Sequence, residues 1–334
     1  MTDIRDDEPT RTPSVPSSAM PHQPTSRRPK TELDLFAVAL LTLMCICLAV
    51  GQVAMKVANS GISPLMQAGL RSLAALVLLI LWARVRGVAL FARDGIFWPG
   101  LVTSLFFTAE FAFLYPGLER TTVAHAVILL YTSPFVVAVG AHFLIPGDRL
   151  TPAKIAGLSL AFAGVAVVLL GRDVASGSAG PTLTGDLLCL AGAFAWGALT
   201  LTIRATRLAA VATERVTFMQ LAISAPLLCA LSFVLGEPGI TDLRPVVVGA
   251  FLFTVVFVAF FVFTTTTWLF QSYPATRVMA FLMLTPVFGV VAGWLLLGES
   301  LGPSLLAGLA LVIAGLWLVN RPTSPIARLR RDVG

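Results

Sequence analysis

Residues 298–315, GESLGPSLLAGLALVIAG, repeat residues 147–164, GDRLTPAKIAGLSLAFAG, in the same register from end to end. Gly298, Leu301, Pro303, Ala307-Gly308-Leu309 and Ala314-Gly315 take the places of Gly147, Leu150, Pro152, Ala156-Gly157-Leu158 and Ala163-Gly164. Outward from this core, Thr132-Ser133-Pro134-Phe135-Val136 returns as Leu284-Thr285-Pro286-Val287-Phe288, and Met66-Gln67 returns as Met219-Gln220. Self-similarity at one long period marks two copies of one structural unit.

The medium of that unit follows from composition. Of the 334 residues, 57% are apolar and 12% charged, with a mean hydropathy of +0.88, whereas a soluble globule is about a quarter charged. Apolar residues fall in runs of about 20, the length that crosses a roughly 30 Å hydrocarbon core. Membrane spans are expected near residues 33–55, 62–83, 95–116, 122–145, 152–171, 183–203, 214–235, 245–269, 275–297 and 303–320. Breakers such as Asn59-Ser60-Gly61, Arg93-Asp94-Gly95, Pro146-Gly147, Gly177-Ser178 and Gly236 to Gly239 fill the short connections. The expected fold is an all-α integral membrane protein of ten transmembrane helices, built as two five-helix repeats over 33–171 and 183–320. Five is odd, so the second copy enters the membrane upside down, and inverted repeats place a substrate site near the midplane between them.

Charge gives the orientation, because cytoplasmic loops retain Lys and Arg. With the amino terminus inside, 18 of the 23 basic residues fall inside and only Lys56, Arg120, Arg172 and Arg244 outside, Arg71 being left within a span. Both termini are then cytoplasmic, in a multi-pass protein of the bacterial plasma membrane. The net charge of +6 reads as topology and not as a nucleic-acid surface.

Residues 1–32 are rich in Pro, Ser, Thr and Arg and read as a disordered cytoplasmic tail, with 321–334 a second tail. Ser26-Arg27-Arg28 resembles a twin-arginine signal, but the apolar run from Leu33 is too long for a signal core and is read as an uncleaved helix. Cys45, Cys47, Cys189 and Cys229 all lie in spans as small apolar residues. Neither a metal nor a cofactor is expected.

The Pro-containing fourth and ninth spans, the Gly298-Glu299-Ser300-Leu301 turn, the Ala-Gly pairs of the fifth and tenth spans and Arg71 together resemble the drug/metabolite transporter superfamily, specifically its EamA-domain members. The resemblance covers about residues 34 to 320 and implies a transporter, with exporters of amino acids and other metabolites among the members. Asp148 departs from the Glu common in the first-copy turn. These turns have a structural reading: Thr151 or Gly302 caps the next helix, Pro152 or Pro303 opens it, and the acid suits its positive end. The GxxxG spacing of Gly289 and Gly293 raises a homodimer as one use of that face.

Function is sought among polar groups deep in the spans, where a charge costs about 2.5–3.5 kcal/mol on insertion scales. Arg71, with Gln67 one turn away, lies near the middle of the second span, and Glu110, with Thr103 on its face, lies in the outer half of the third. Their second-copy counterparts are Ser224 and Val262 or a neighbour, so both charges are lost together. A structural ion pair and a cavity pair that gates, binds substrate or exchanges protons are both open readings. Further cavity candidates are Gln52, His125 with Thr132, Tyr131, Trp196 with Thr200, and Gln220 with Ser224. The run Thr264 to Thr267 needs only back-bonding to the preceding turn.

With no nucleotide-binding loop, the leading expectation is a secondary exporter of a small metabolite, its partners being substrate, lipid bilayer and, as co-substrate, protons. Glu110, the one carboxylate placed well inside a span, is the expected proton carrier. The alternatives are an uptake transporter or uncoupled facilitator, a membrane-embedded enzyme, for which no HExxH, aspartate pair or Ser/His arrangement is found, and a receptor or scaffold.

Overall fold

The computed structural model describes residues 34–90, 95–145, 150–171, 181–273 and 275–319. Both tails, the acid of the first-copy turn (Asp148) and the breakers Arg93-Asp94 and Gly177-Ser178 lie outside them. The helices are α1 (Leu35–Ala58), α2 (Pro64–Arg86), α3 (Phe97–Arg120), α4 (Val123–Leu130), α5 (Ser133–Leu144), α6 (Pro152–Leu170), α7 (Leu183–Ala205), α8 (Thr213–Val234), α9 (Pro245–Phe253), α10 (Phe263–Ser272), α11 (Ala275–Leu282), α12 (Thr285–Leu297) and α13 (Pro303–Val319). A π-helical stretch, Thr254–Val262, joins α9 to α10. Eight helical stretches are long and apolar enough to cross a membrane, α4 being counted with α5 and α9 with the π turns and the start of α10. Thr285–Leu297 and Pro303–Val319 are apolar but shorter. The chain is a multi-pass membrane protein.

Caps explain where the helices start. The side chains of Asp34, Thr122, Thr151 and Thr182 accept backbone N–H bonds at the starts of α1, α4, α6 and α7. Gly87 and Gly298 end α2 and α12 at φ 66°, a left-handed conformation that glycine adopts without a steric penalty.

Three of the expected uninterrupted spans are corrected. The fourth divides at Tyr131-Thr132, where Pro134 follows and the Thr132 hydroxyl bonds back to the Leu129 carbonyl at 2.6 Å. The ninth divides in the same way before Pro286, with Thr285 donating to the Leu282 carbonyl at 2.7 Å. Proline removes one helical donor and its ring crowds the preceding turn, so an apolar run alone cannot keep these helices continuous. In the eighth the π turns stand in the repeat position of the Glu110 segment of α3.

The repeated glycines bring two helix backbones into contact. A Cβ added to Gly157 would stand 2.7 Å from the Gly315 carbonyl oxygen, and one on Gly315 would stand 2.5 Å from that of Gly157. Gly164 and Gly308 meet reciprocally at 2.9 Å, so α6 and α13 run antiparallel with backbones in contact, the arrangement small residues permit in lipid. Gly315→Ala is therefore expected to destabilise the purified protein by about 1–3 kcal/mol through overpacking. Gly249→Ala, which meets nothing within 4 Å, should leave the melting temperature unchanged or raise it. Equal melting temperatures for the two variants would contradict this contact.

Polar contacts gather the chain turns at two ends. At one, Ser63 and Thr241 donate backbone N–H bonds to Gly239 and Gly61, each at 2.8 Å, and Thr182 donates to Arg120 at 3.0 Å. At the other, Tyr273 donates its hydroxyl to Asp34 at 2.8 Å, and Ile96, Leu208 and Val216 cluster. The end holding Lys56, Arg120 and Arg244 is the one the charge count places outside.

The turn acid Glu299 corrects another expectation. It does not serve the helix after its own turn. Its two oxygens accept from the Val123 and Ala124 N–H groups of α4, at 2.7 and 3.0 Å. Glu237 treats α2 likewise, accepting from Leu65 N–H at 3.1 Å and from Met66 N–H at 3.3 Å. Two acids of the second half thus neutralise the positive ends of two first-half helices.

Candidate substrate site

Arg71 and Glu110 are brought to one place inside the bundle, on α2 and α3. They are 8% and 3% exposed. The Arg71 guanidinium carbon lies 4.9 Å from the centroid of the Phe111 ring, a cation–π geometry. Phe111 is held edge-on between Phe107 and Tyr115, with ring centroids 4.8 and 5.8 Å away. Arg71 is the cation whose field reaches both Glu110 and the Tyr115 hydroxyl. No ion-pair contact within 4.0 Å joins Arg71 to Glu110.

What distinguishes the place is its unspent bonding capacity. Arg71 Nε, Glu110 Oε2, Ser72 Oγ, both side-chain polar atoms of Gln67, Gln52 Oε1 and Asn59 Oδ1 are buried and hydrogen-bond to no group of the chain, and the buried Tyr115 hydroxyl faces the Arg71 guanidinium. They all belong to α1, α2, α3 or the residue that ends α1. Each such atom costs about 1–3 kcal/mol if nothing bonds it. With Arg71 and Glu110 among them, they give α1 to α3 a set of donors and acceptors suited to a polar guest.

The other expected residues go elsewhere or to its rim. Gln220 reaches α3, its amide donating to Thr103 Oγ1 at 3.5 Å. Tyr131 ends α4 at the helix break and faces Thr285 and Cys45 of the ninth and first spans, where Thr285 Oγ1 lies 3.4 Å from Cys45 Sγ. His125 is 7% exposed and places Nδ1 3.2 Å from both carboxylate oxygens of Asp186. Trp196 is 40% exposed, because the face α7 buries carries Gly185, Cys189, Gly192 and Ala193. The Thr200 hydroxyl bonds to the Trp196 carbonyl at 2.9 Å, and neither residue joins the central group. Thr264 and Thr266 bond back to the preceding turn as expected.

Sequence reasoning missed Tyr115, Ser72 and Phe111. The spacing of Phe111 and Tyr115, four residues apart and both following Glu110, was the available signal. It also missed Asp186, which is 0% exposed and accepts from the Thr121 hydroxyl at 2.5 Å. Glu110 is thus not the one carboxylate buried in a helix. Gly289 and Gly293, raised as a dimer face, pack inside the chain on Val127 and on Val123 with Glu299. Among the described residues no group of three His, Cys, Asp or Glu could hold a metal.

Known proteins share this arrangement of sequence. The EamA-like transporter family matches twice, over residues 35–170 and 183–321. A Bacillus subtilis protein named "Uncharacterized transporter YvbV" is 29% identical over 87% of this chain and 92% of its own length. A Salmonella typhimurium protein named "Probable amino-acid metabolite efflux pump" is 27% identical over 84% of this chain and 93% of its own. An Ancylobacter novellus protein named "Aromatic amino acid exporter YddG" is 34% identical over 38% of this chain and 43% of its own. One solved structure superposes with a TM-score of 0.57, covering 89% of this chain and 96% of that one at 22% identity, which is a likeness of fold.

Proposed function

Since the chain belongs to the EamA-like transporter family, and is thereby a membrane transporter, we propose that it exports a small zwitterionic metabolite of the amino-acid kind across the plasma membrane in exchange for protons. The observation that carries this is the pair of buried opposite charges, Arg71 and Glu110, each with an unpartnered polar atom and no ion-pair contact between them. An ammonium group suits Glu110 and a carboxylate suits Arg71, whose planar fork matches it. Tyr115, Gln67 and Ser72 supply the remaining polar partners, and the Phe107–Phe111–Tyr115 ladder an apolar wall. Two relatives bear amino-acid export names, in keeping with this class.

Ten crossings in two inverted halves are the architecture we infer. Reciprocal contacts support it: Gly157 meets Gly315 while its repeat mate Gly308 meets Gly164, as two antiparallel helices related by a two-fold axis must. Asp34–Tyr273 and Asp186–Thr121 form a second such pair, in corresponding places of the two copies. In this reading α11 with α12 is the ninth crossing, α13 the tenth, and both termini are cytoplasmic by the charge count. Alternating access then follows from rocking one half against the other around the site.

Counterflow tests the substrate class. Vesicles preloaded with an unlabelled neutral amino acid should draw in the labelled compound. The matching amine without its carboxylate, and the matching acid without its amine, should each lose about tenfold or more in potency, the factor for about 1.4 kcal/mol of lost pairing. Equal potency of either analogue would contradict the two-charge site.

A further inference from the structure

A second cluster of buried charge closes the external end, and the central site does not use it. His125 Nδ1 stands against Asp186, which also takes the Thr121 hydroxyl. Lys56 donates to the Thr121 carbonyl and lies 3.7 Å from Glu299, which caps α4 one turn before His125. Ser304 donates to the Gly171 carbonyl. The His125–Asp186, Thr121–Asp186, Lys56–Glu299 and Ser304–Gly171 contacts all run between the first half of the chain and the second. The imidazole also lines a small cleft of about 30 Å³, room for about one water, together with Thr122, Pro181, Ser300 and Ser304. Its Nδ1 is committed to Asp186, so its Nε2 is the atom left to the cleft.

We propose that His125 and Asp186 form a proton-binding site, loaded from the external solution through this cleft, that latches the outer ends of the two halves together. The step balances simply: Nε2 takes one proton, Nδ1–H keeps its bond to the carboxylate, and a neutral imidazole becomes a cation against an anion. Separating the halves would part that ion pair, so the closed arrangement binds the proton more tightly and external acid holds the end shut. Among the described residues the other charges facing His125 are few. α1 offers Lys56, and α7 offers Cys189 beside Asp186. The turn after α12 offers Glu299, and α3 ends in the exposed pair Glu119–Arg120. α13 carries no charged residue and α6 carries only Lys154, in its first turn at the far end. Asp186 is the one carboxylate among them in contact with the ring.

The latch rests on the rocking of two halves proposed above, and its test needs no substrate. Ala126 is buried in a cluster shared with Ala292 of the second half, so Ala126→Cys reports opening to a membrane-impermeant maleimide. Rates are taken against the same protein without the reporter and normalised to Glu119→Cys, an exposed external position. Labelling at external pH of about 8 should exceed that at about 5.5 several-fold. His125→Gln, which can still hydrogen-bond Asp186, should remove that dependence, as should Asp186→Asn. His142→Gln, at an exposed histidine of α5 outside the cluster, should keep it. Equal or absent labelling at both pH values, dependence surviving in His125→Gln, or dependence lost in His142→Gln would each overturn the latch. Failed counterflow with the pH-dependent labelling intact would instead remove the substrate reading and leave the latch standing.

Discussion

Arg71→Ala and Glu110→Ala should each lower the melting temperature and folded yield of the purified protein, and the double variant should recover part of the loss. Each charge lies in the field of the other inside an apolar bundle, so removing one leaves the second uncompensated. Breaking a buried, hydrogen-bonded pair costs about 3–5 kcal/mol. Here no ion-pair contact within 4.0 Å joins the groups, which places each single loss at about 1–3 kcal/mol. Arg71→Ala also removes the cation–π contact with Phe111, worth about 0.5–2 kcal/mol. That part does not return in the double variant, so recovery is incomplete. Thermal denaturation of the four proteins completes a double-mutant cycle. Strictly additive losses would mean that the two charges do not sense each other.

Much of the fold was legible because the bilayer is a severe solvent. Hydropathy located the eight stretches long and apolar enough to cross a membrane, and the repeat picked out Gly157, Gly164, Gly308 and Gly315, which the fold brings into contact. The helix breaks at Tyr131 and before Thr285 were legible only in part. Pro134 and Pro286 were visible, but whether a proline bends a membrane helix or divides it depends on neighbours that can satisfy the freed backbone groups. The π turns of Thr254–Val262 left no signal in an unbroken apolar run.

For the site, Arg71, Glu110 and Gln67 could be grouped from depth and helical phase alone. Tyr115 could not, since a tyrosine one residue from an expected span end reads equally as an interfacial anchor. Partners between halves were beyond reach. Glu299 caps a helix that starts 176 residues earlier, and Asp186 lies 61 residues from His125. An inverted repeat specifies that the halves face each other without specifying which turn meets which helix end. Trp196 shows the opposite error, a polar-tipped aromatic whose face was inferred from Thr200 when Gly185, Cys189 and Gly192 decide it.

Proton-linked export through Glu110 is the central claim, and its variant is expected to show the largest functional effect. Glutamine copies the protonated acid in size and neutrality, so Glu110→Gln should fold and equilibrate substrate across the membrane while losing the response to a pH gradient. In the proposed cycle, protonation from outside would neutralise Glu110, free Arg71 from its field and let the halves reorient, with substrate competing for the same two groups. The direct measurement is accumulation in inside-out vesicles with an acidic lumen, which presents external pH to the external face. Wild type should concentrate the labelled zwitterion in the lumen until the gradient is collapsed, and Glu110→Gln should reach equal concentrations on both sides. Wild type that never rises above equilibrium, or Glu110→Gln that concentrates substrate equally well, would contradict the account.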